Sequence, residues 1–168
     1  KSSHNLILTI ATLILAGTFF YRQEIMYFLY PLNADSSYSE LLGYHMLSFF
    51  AISLSYIYST FLTSSNKLKQ MNKLLFAGVL LNFVLNLFLI PSLGAKGAAI
   101  VTVGTQFFVL AGNYYLTQNI LELKIDLPLL LKRSIFIVLI ITAAYFYQSF
   151  QPFSNWIINL VLLEVAFL

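Results

Sequence analysis

The sequence predicts an all-α, polytopic transmembrane helix bundle with about six spans, and three observations carry that prediction. The chain has 168 residues, 60% of them hydrophobic and 9% charged, with a mean hydropathy of +0.84. A soluble domain of this size carries about a quarter charged residues, because its surface must be hydrated; nine Lys or Arg and six Asp or Glu cannot cover such a surface. Second, the apolar runs are near-continuous and close to helix-spanning length, whereas barrel strands are about ten residues of strict alternation. Third, the basic residues sit in short segments between those runs, as the positive-inside rule places them.

The first run extends from Leu6 to about Leu32, is interrupted by Arg22, Gln23 and Glu24, and is closed by Pro31; 33–40 is a polar turn. The second covers Leu41 to about Ser64, followed by a polar stretch to Lys73. The third covers Leu74 to Ile90 and is stopped by Pro91. A tight turn over 91–97 leads to the fourth, about Ala98 to Leu116. The fifth covers about Ser134 to Phe150, ended by Pro152, and the sixth begins near Asn155. Residues 121–127 alternate apolar and polar with a period of two, and between two spans they are expected to form an interfacial segment. Residues 1–118 are thus read as four spans and 119–168 as a further pair. The start at Lys1 and the end inside an apolar run lead to the expectation of a fragment, its last span truncated and no signal peptide at its start.

Alternating the spans puts Lys1, Lys67, Lys69, Lys73, Lys124, Lys132 and Arg133 on one side. That side is expected to be cytoplasmic. Tyr27, Tyr30, Tyr38, Tyr44, Tyr114, Tyr115, Tyr145 and Tyr147 lie near span ends, as an interfacial aromatic belt requires.

Several function classes find no support. The sequence pI near 9.1 is accompanied by no basic stripe or aromatic stacking motif, so nucleic acid is not an expected partner. Cysteine is absent and the two histidines, His4 and His45, make no metal-ligand spacing, so neither metal nor disulfide is expected. There is no phosphate-cradling Gly-Lys-Ser/Thr loop, and no Ser-His-Asp grouping assembles at a common depth. The expectation is no enzyme and no cofactor. A membrane-embedded enzyme would need clustered interfacial carboxylates, and Asp35 with Glu40 is the thin candidate.

Polar residues within the spans are the candidate functional residues. Asn82 and Asn86, four apart, share one helix face. A buried amide in hydrocarbon needs a partner, either another helix or a hydrated cavity; the structural reading is interhelical glue and the functional one a cavity lining. Gln106 and Asn113 are seven apart on the fourth span, as are Ser48 and Ser55 on the second, and such seams suit packing or a wet groove. Arg22 is either a snorkelling interfacial cation or a cation facing an anionic group such as a phosphate. Pro91, Gly94 and Gly97 read as a structural turn, with Gly97-Ala-Ala allowing close helix approach. His45 reads as an interface residue. Glu164 falls within the final apolar run, at a depth the run does not fix.

The stretch Asn82-Phe-Val-Leu-Asn86-Leu-Phe-Leu-Ile-Pro91-Ser-Leu-Gly94-Ala-Lys-Gly97-Ala-Ala-Ile-Val-Thr102 resembles the pattern of polysaccharide and O-antigen flippases of the multidrug/oligosaccharidyl-lipid/polysaccharide exporter superfamily. Upstream, Ile25 to Pro31, Tyr38 to Leu47 and Thr63 to Lys69 occur in the order expected there, with Asn66-Lys67 where that family often has Gly-Lys. The resemblance covers about Ile25 to Asn119 and implies the C-terminal lobe of a two-lobed, MATE-like fold, the last two spans being the extra pair of fourteen-helix members. It implies alternating-access transport of a lipid-linked oligosaccharide, a polyprenyl-pyrophosphate sugar, across the bacterial cytoplasmic (inner) membrane, beside the polysaccharide polymerase machinery. It implies that Arg22 offsets the pyrophosphate charge; Arg22, Asn82, Asn86, Gln106 and Asn113 are the substrate-cavity candidates. A cation-coupled multidrug exporter and a lipid II flippase are the related alternatives.

Overall fold

The computed structural model describes residues 2–31, 36–121, 127–150 and 155–166, and among these every regular element is a helix. They are α1 (Ser2–Phe20), α2 (Arg22–Leu29), α3 (Ser36–Ser64), α4 (Leu68–Ile120), α5 (Leu127–Phe150) and α6 (Trp156–Ala166). In hydrocarbon each segment must satisfy its own amides, which a helix does internally. By length and apolarity two described helices are able to cross a bilayer, Ser37–Ser64 and Leu68–Ile120; Leu6–Phe20 with Arg22–Leu29 makes a third if that bent pair is one span. Asp35, most of the period-two segment at 121–127 and the turn at 151–154 lie outside the described residues. The chain divides into two compact units, Lys1–Met46 with Asp126–Leu168, and Leu47–Ile125.

In the first unit α1, α5 and α6 pack together around Leu13, Ala16, Ile140, Ala144 and Leu163, with Phe20 and Tyr147 against them. Ala16, Gly17 and Ala144 let the helix axes approach, the means by which helices associate where lipid supplies no hydrophobic drive. At Gly17 an added Cβ would stand 2.6 Å from Glu164 Oε1 and 3.0 Å from Leu160 Cδ1. The Thr12 hydroxyl, fully buried, donates to the Leu8 carbonyl at 2.6 Å and so needs nothing from its neighbours. Phe20, late in α1, stacks on Tyr145, late in α5, at 6.1 Å, so α1 and α5 run in the same direction. Phe28, beyond the end of α1, meets Trp156, the first residue of α6, at 5.9 Å, so α6 returns against α1. Asn155 starts α6 by accepting the Ile157 N–H on its Oδ1 at 3.0 Å, the side-chain cap that an N-terminus requires.

The first apolar run is not one straight helix, as its sequence reads. At Tyr21 (φ −99°, ψ 18°) the chain leaves helical geometry, and α2 sets off at 72° to Leu6–Phe20. The physical reason lies in Arg22-Gln-Glu24: continuing straight would carry two charges and an amide along the axis of an apolar run, where ionisable groups are costly. Tyr21 is fully buried at the corner.

The second unit contains the end of α3 and all of α4. Helix α3 ends in a Schellman motif: Lys67 N–H bonds to the Leu62 carbonyl at 2.9 Å and Asn66 N–H to the Thr63 carbonyl at 3.2 Å. Asn66 has φ +57°, a conformation that Asn tolerates better than other residues with a side chain. Helix resumes at Leu68, so the polar stretch from there to Lys73 forms the first turns of α4 rather than a loop.

Helix α4 is two arms, 68–93 and 95–120, folded back on each other at Gly94 (φ 57°, ψ −136°). A straight helix would hold Asn82 and Thr105 about 35 Å apart at 1.5 Å per residue, yet Asn82 Nδ2 lies 3.0 Å from Thr105 Oγ1. Gly78 faces Val109 and Gly112 faces Leu74, each pair nearly equidistant from Gly94, as an antiparallel hairpin demands. The reversal is narrower than the 91–97 turn read from sequence. Pro91 lies inside the first arm, near its end, and Gly97 is already in the second. Pro91 lacks the N–H that would bond the Leu87 carbonyl, and the Ser92 hydroxyl lies within reach of the next two carbonyls, Phe88 at 3.3 Å and Leu89 at 3.2 Å. Gly97 is buried with no room for a methyl: a Cβ would collide with the Leu89 carbonyl oxygen.

Candidate functional site

Asn82 lies near the middle of the first arm of α4, about 18 Å of helix before Gly94. Its neighbour one turn later, Asn86, donates from Nδ2 to Asn82 Oδ1 at 2.8 Å. Asn82 in turn donates from Nδ2 to Thr105 Oγ1 across the hairpin at 3.0 Å. Thr105 donates to a backbone carbonyl, with Val101 at 2.9 Å and Thr102 at 3.0 Å within reach. The result is a directional ladder, Asn86 to Asn82 to Thr105 to backbone, in which each named donor has its acceptor. At its upstream end, Asn86 Oδ1 is buried and accepts no hydrogen bond from the described residues.

Spare acceptors recur along the second arm. Asn113, 1% exposed, donates from Nδ2 to Ser55 Oγ at 2.8 Å and ties α3 to α4. Its Oδ1 is buried with no partner among the described residues, as are Thr117 Oγ1 and Gln118 Oε1. Buried polar atoms in folded proteins are almost always bonded to protein or to ordered water. Among the described residues these oxygens meet no donor, and each has the chemistry to accept one from a water O–H or from a hydroxyl or N–H. Tyr58 and Tyr114 meet edge-on beside Asn113, with ring centroids 5.5 Å apart.

The sequence-derived residues thus divide. Asn82 and Asn86 are brought together on one ladder, and Asn113 is joined to Ser55. Gln106 is half-buried and follows the ladder residue Thr105 without entering the ladder. Gly94 makes the reversal, while Pro91 and Gly97 flank it. Arg22 belongs to the first unit, where its guanidinium carbon sits 4.5 Å from the centre of the Phe19 ring, a cation–π contact. His45 is exposed, and Glu164 lies against Gly17 on the α1–α6 contact. Thr105 was missed by sequence reasoning. The available signal was its place almost as far after Gly94 as Asn82 is before it, which in a hairpin makes the two residues opposite. Among the described residues no group of three or more His, Cys, Asp or Glu is placed to hold a metal ion.

Comparison with protein-family models, with curated proteins and with solved structures found no match to this chain.

Proposed function

We propose that this chain is part of a membrane transporter that flips a lipid-linked oligosaccharide across the bacterial cytoplasmic membrane. The observation that carries the reading is the mid-arm amide ladder with its open buried acceptor, Asn86 Oδ1, inside a stretch whose sequence resembles polysaccharide flippases. A sugar headgroup crossing hydrocarbon needs neutral hydrogen-bonding partners at membrane depth, because each unsatisfied polar group there costs several kcal/mol. Asn86 and Asn113 offer such acceptors, and Gln106 on the same hairpin arm as Asn113 adds an amide.

The proposal extends to six alternating crossings, in the manner of a C-terminal MATE-like lobe with an additional helix pair. The shared direction of α1 and α5, the return of α6 and the doubling of α4 are each what alternation requires. In this reading Arg22 meets the pyrophosphate, the Lys-rich side is cytoplasmic, and the polyprenyl tail stays in lipid. The chain performs no covalent chemistry, and the polysaccharide polymerase machinery receives the flipped product.

The test is a flipping assay in vesicles with a lipid-linked oligosaccharide, reading its exposure to a membrane-impermeant glycan reagent. Asn86→Leu is expected to slow flipping about tenfold at unchanged abundance, the loss of one hydrogen bond worth about 1.4 kcal/mol. Arg22→Ala is expected to impair it and Arg22→Lys to restore part of it. Wild-type flipping by both Asn86→Leu and Arg22→Ala removes the proposal. Efflux of fluorescent cations that tracks a sodium or proton gradient replaces it with drug export.

A further inference from the structure

The first turns of α4 carry a second feature, independent of the transport reading and resting only on the membrane-spanning character of the hairpin. Lys69, Asn72, Lys73 and Phe76 line one open depression of about 590 Å³. Their spacing places them on a single helix face, two ammonium groups one turn apart with an amide beside them and an aromatic ring one turn below. All four side chains are exposed. Neither ammonium is ion-paired among the described residues, and the sequence has no Asp or Glu between Glu40 and Glu122. The counter-charge has to come from outside this unit's described residues.

Below the lysines the same face turns wholly apolar. Phe76 is 71% exposed, and Phe83 and Leu87 follow at 60% and 59%. From Phe76 to Leu87 the stripe runs about 16 Å along the helix. A charged head above a long exposed apolar track has the outline of one kind of occupant. We propose that this face is a binding site for an anionic glycerophospholipid. Its phosphate is held between Lys69 and Lys73 with Asn72 as an added donor, and one acyl chain lies along Phe76, Phe83 and Leu87. A free phosphate matches the lysines but leaves the apolar track unexplained, and a zwitterionic lipid brings its own cation to the lysine pair. Near an anionic leaflet each lysine contributes about 1 kcal/mol of attraction, close to a fivefold preference.

The complete polypeptide, reconstituted in phosphatidylcholine vesicles, is exposed to trace photoactivatable phosphatidylglycerol or phosphatidylcholine, and the cross-linked peptides are mapped. The expected result is labelling of residues 68–87 by phosphatidylglycerol at least fivefold above phosphatidylcholine. Lys69→Gln with Lys73→Gln is expected to bring the ratio close to one, and Lys69→Arg with Lys73→Arg to keep it, which shows that charge and not misfolding sets the preference. Equal labelling by the two lipids in the wild type, or an unchanged ratio in the Gln variant, overturns the proposal. Displacement by millimolar inorganic phosphate overturns it in favour of a free-anion site. Cross-links from this face to a second copy or another protein, in place of lipid, overturn it in favour of a protein interface.

Discussion

The α1–α5–α6 packing and the α4 hairpin bring apolar helices together by different means. In the first, a cluster of apolar and small side chains, Leu13, Ala16, Ile140, Ala144 and Leu163, lies beside buried polar residues, of which Thr12 bonds within its own helix. In the second, the arms face each other through Gly78 and Gly112 and are tied by Asn82 and Thr105. The apolar cluster of the first depends on shape, and the second carries a directional bond between its arms. A shape-dependent contact fails through cavities, at a cost that scales with the volume removed. A polar tie fails more gently, because amides separated in lipid find other partners.

Substitutions break or sharpen that contrast. Leu163→Ala removes a fully buried side chain from the three-helix core and is expected to cost about 3–4 kcal/mol, read by denaturation of the purified protein in detergent. Gly97→Ala is expected to cost about 2–3 kcal/mol by the same measurement, because the Leu89 carbonyl facing the new methyl is backbone and cannot rotate away. Asn82→Leu is expected to cost only about 1 kcal/mol, and a double-mutant cycle with Thr105→Val to give a coupling near 0.6 kcal/mol. A coupling above about 2 kcal/mol would place the main strength of the hairpin in its amides rather than its glycines. Arg22→Ala is expected to change stability least, by about 0.5 kcal/mol, the worth of an exposed cation–π contact. A larger loss would mean that Arg22 holds the α1–α2 corner together.

Much of the helical layout was legible because lipid forces a simple code: an apolar run of about 20 residues becomes a helix, and Gly94 between two such runs becomes a reversal. The α1–α2 corner was half legible. Arg22-Gln-Glu24 was visible as an interruption, but a 72° bend depends on where Tyr21 is buried, and no local residue states that. The Gly17–Glu164 contact joins opposite ends of the sequence and leaves no trace in periodicity. Within the candidate site, the shared face of Asn82 and Asn86 followed from their spacing, whereas the choice of Thr105 over Gln106 as partner depends on the hairpin's rotation about its long axis. The Ser48–Ser55 and Gln106–Asn113 seams were each visible alone. Their junction through the bond from Asn113 to Ser55 is tertiary information. Lys69 and Lys73 were legible as topology signals; their alignment above an apolar track required the helix to begin at Leu68.

The single-residue reversal at Gly94 also bears on how the protein is made. Two arms adjacent in the chain, closed by the shortest connection, find each other with almost no loop-closure entropy. The pair is therefore expected to enter the bilayer as one cooperative insertion unit, each arm shielding the other's amides from the lipid during synthesis, before more distant helices have been translated.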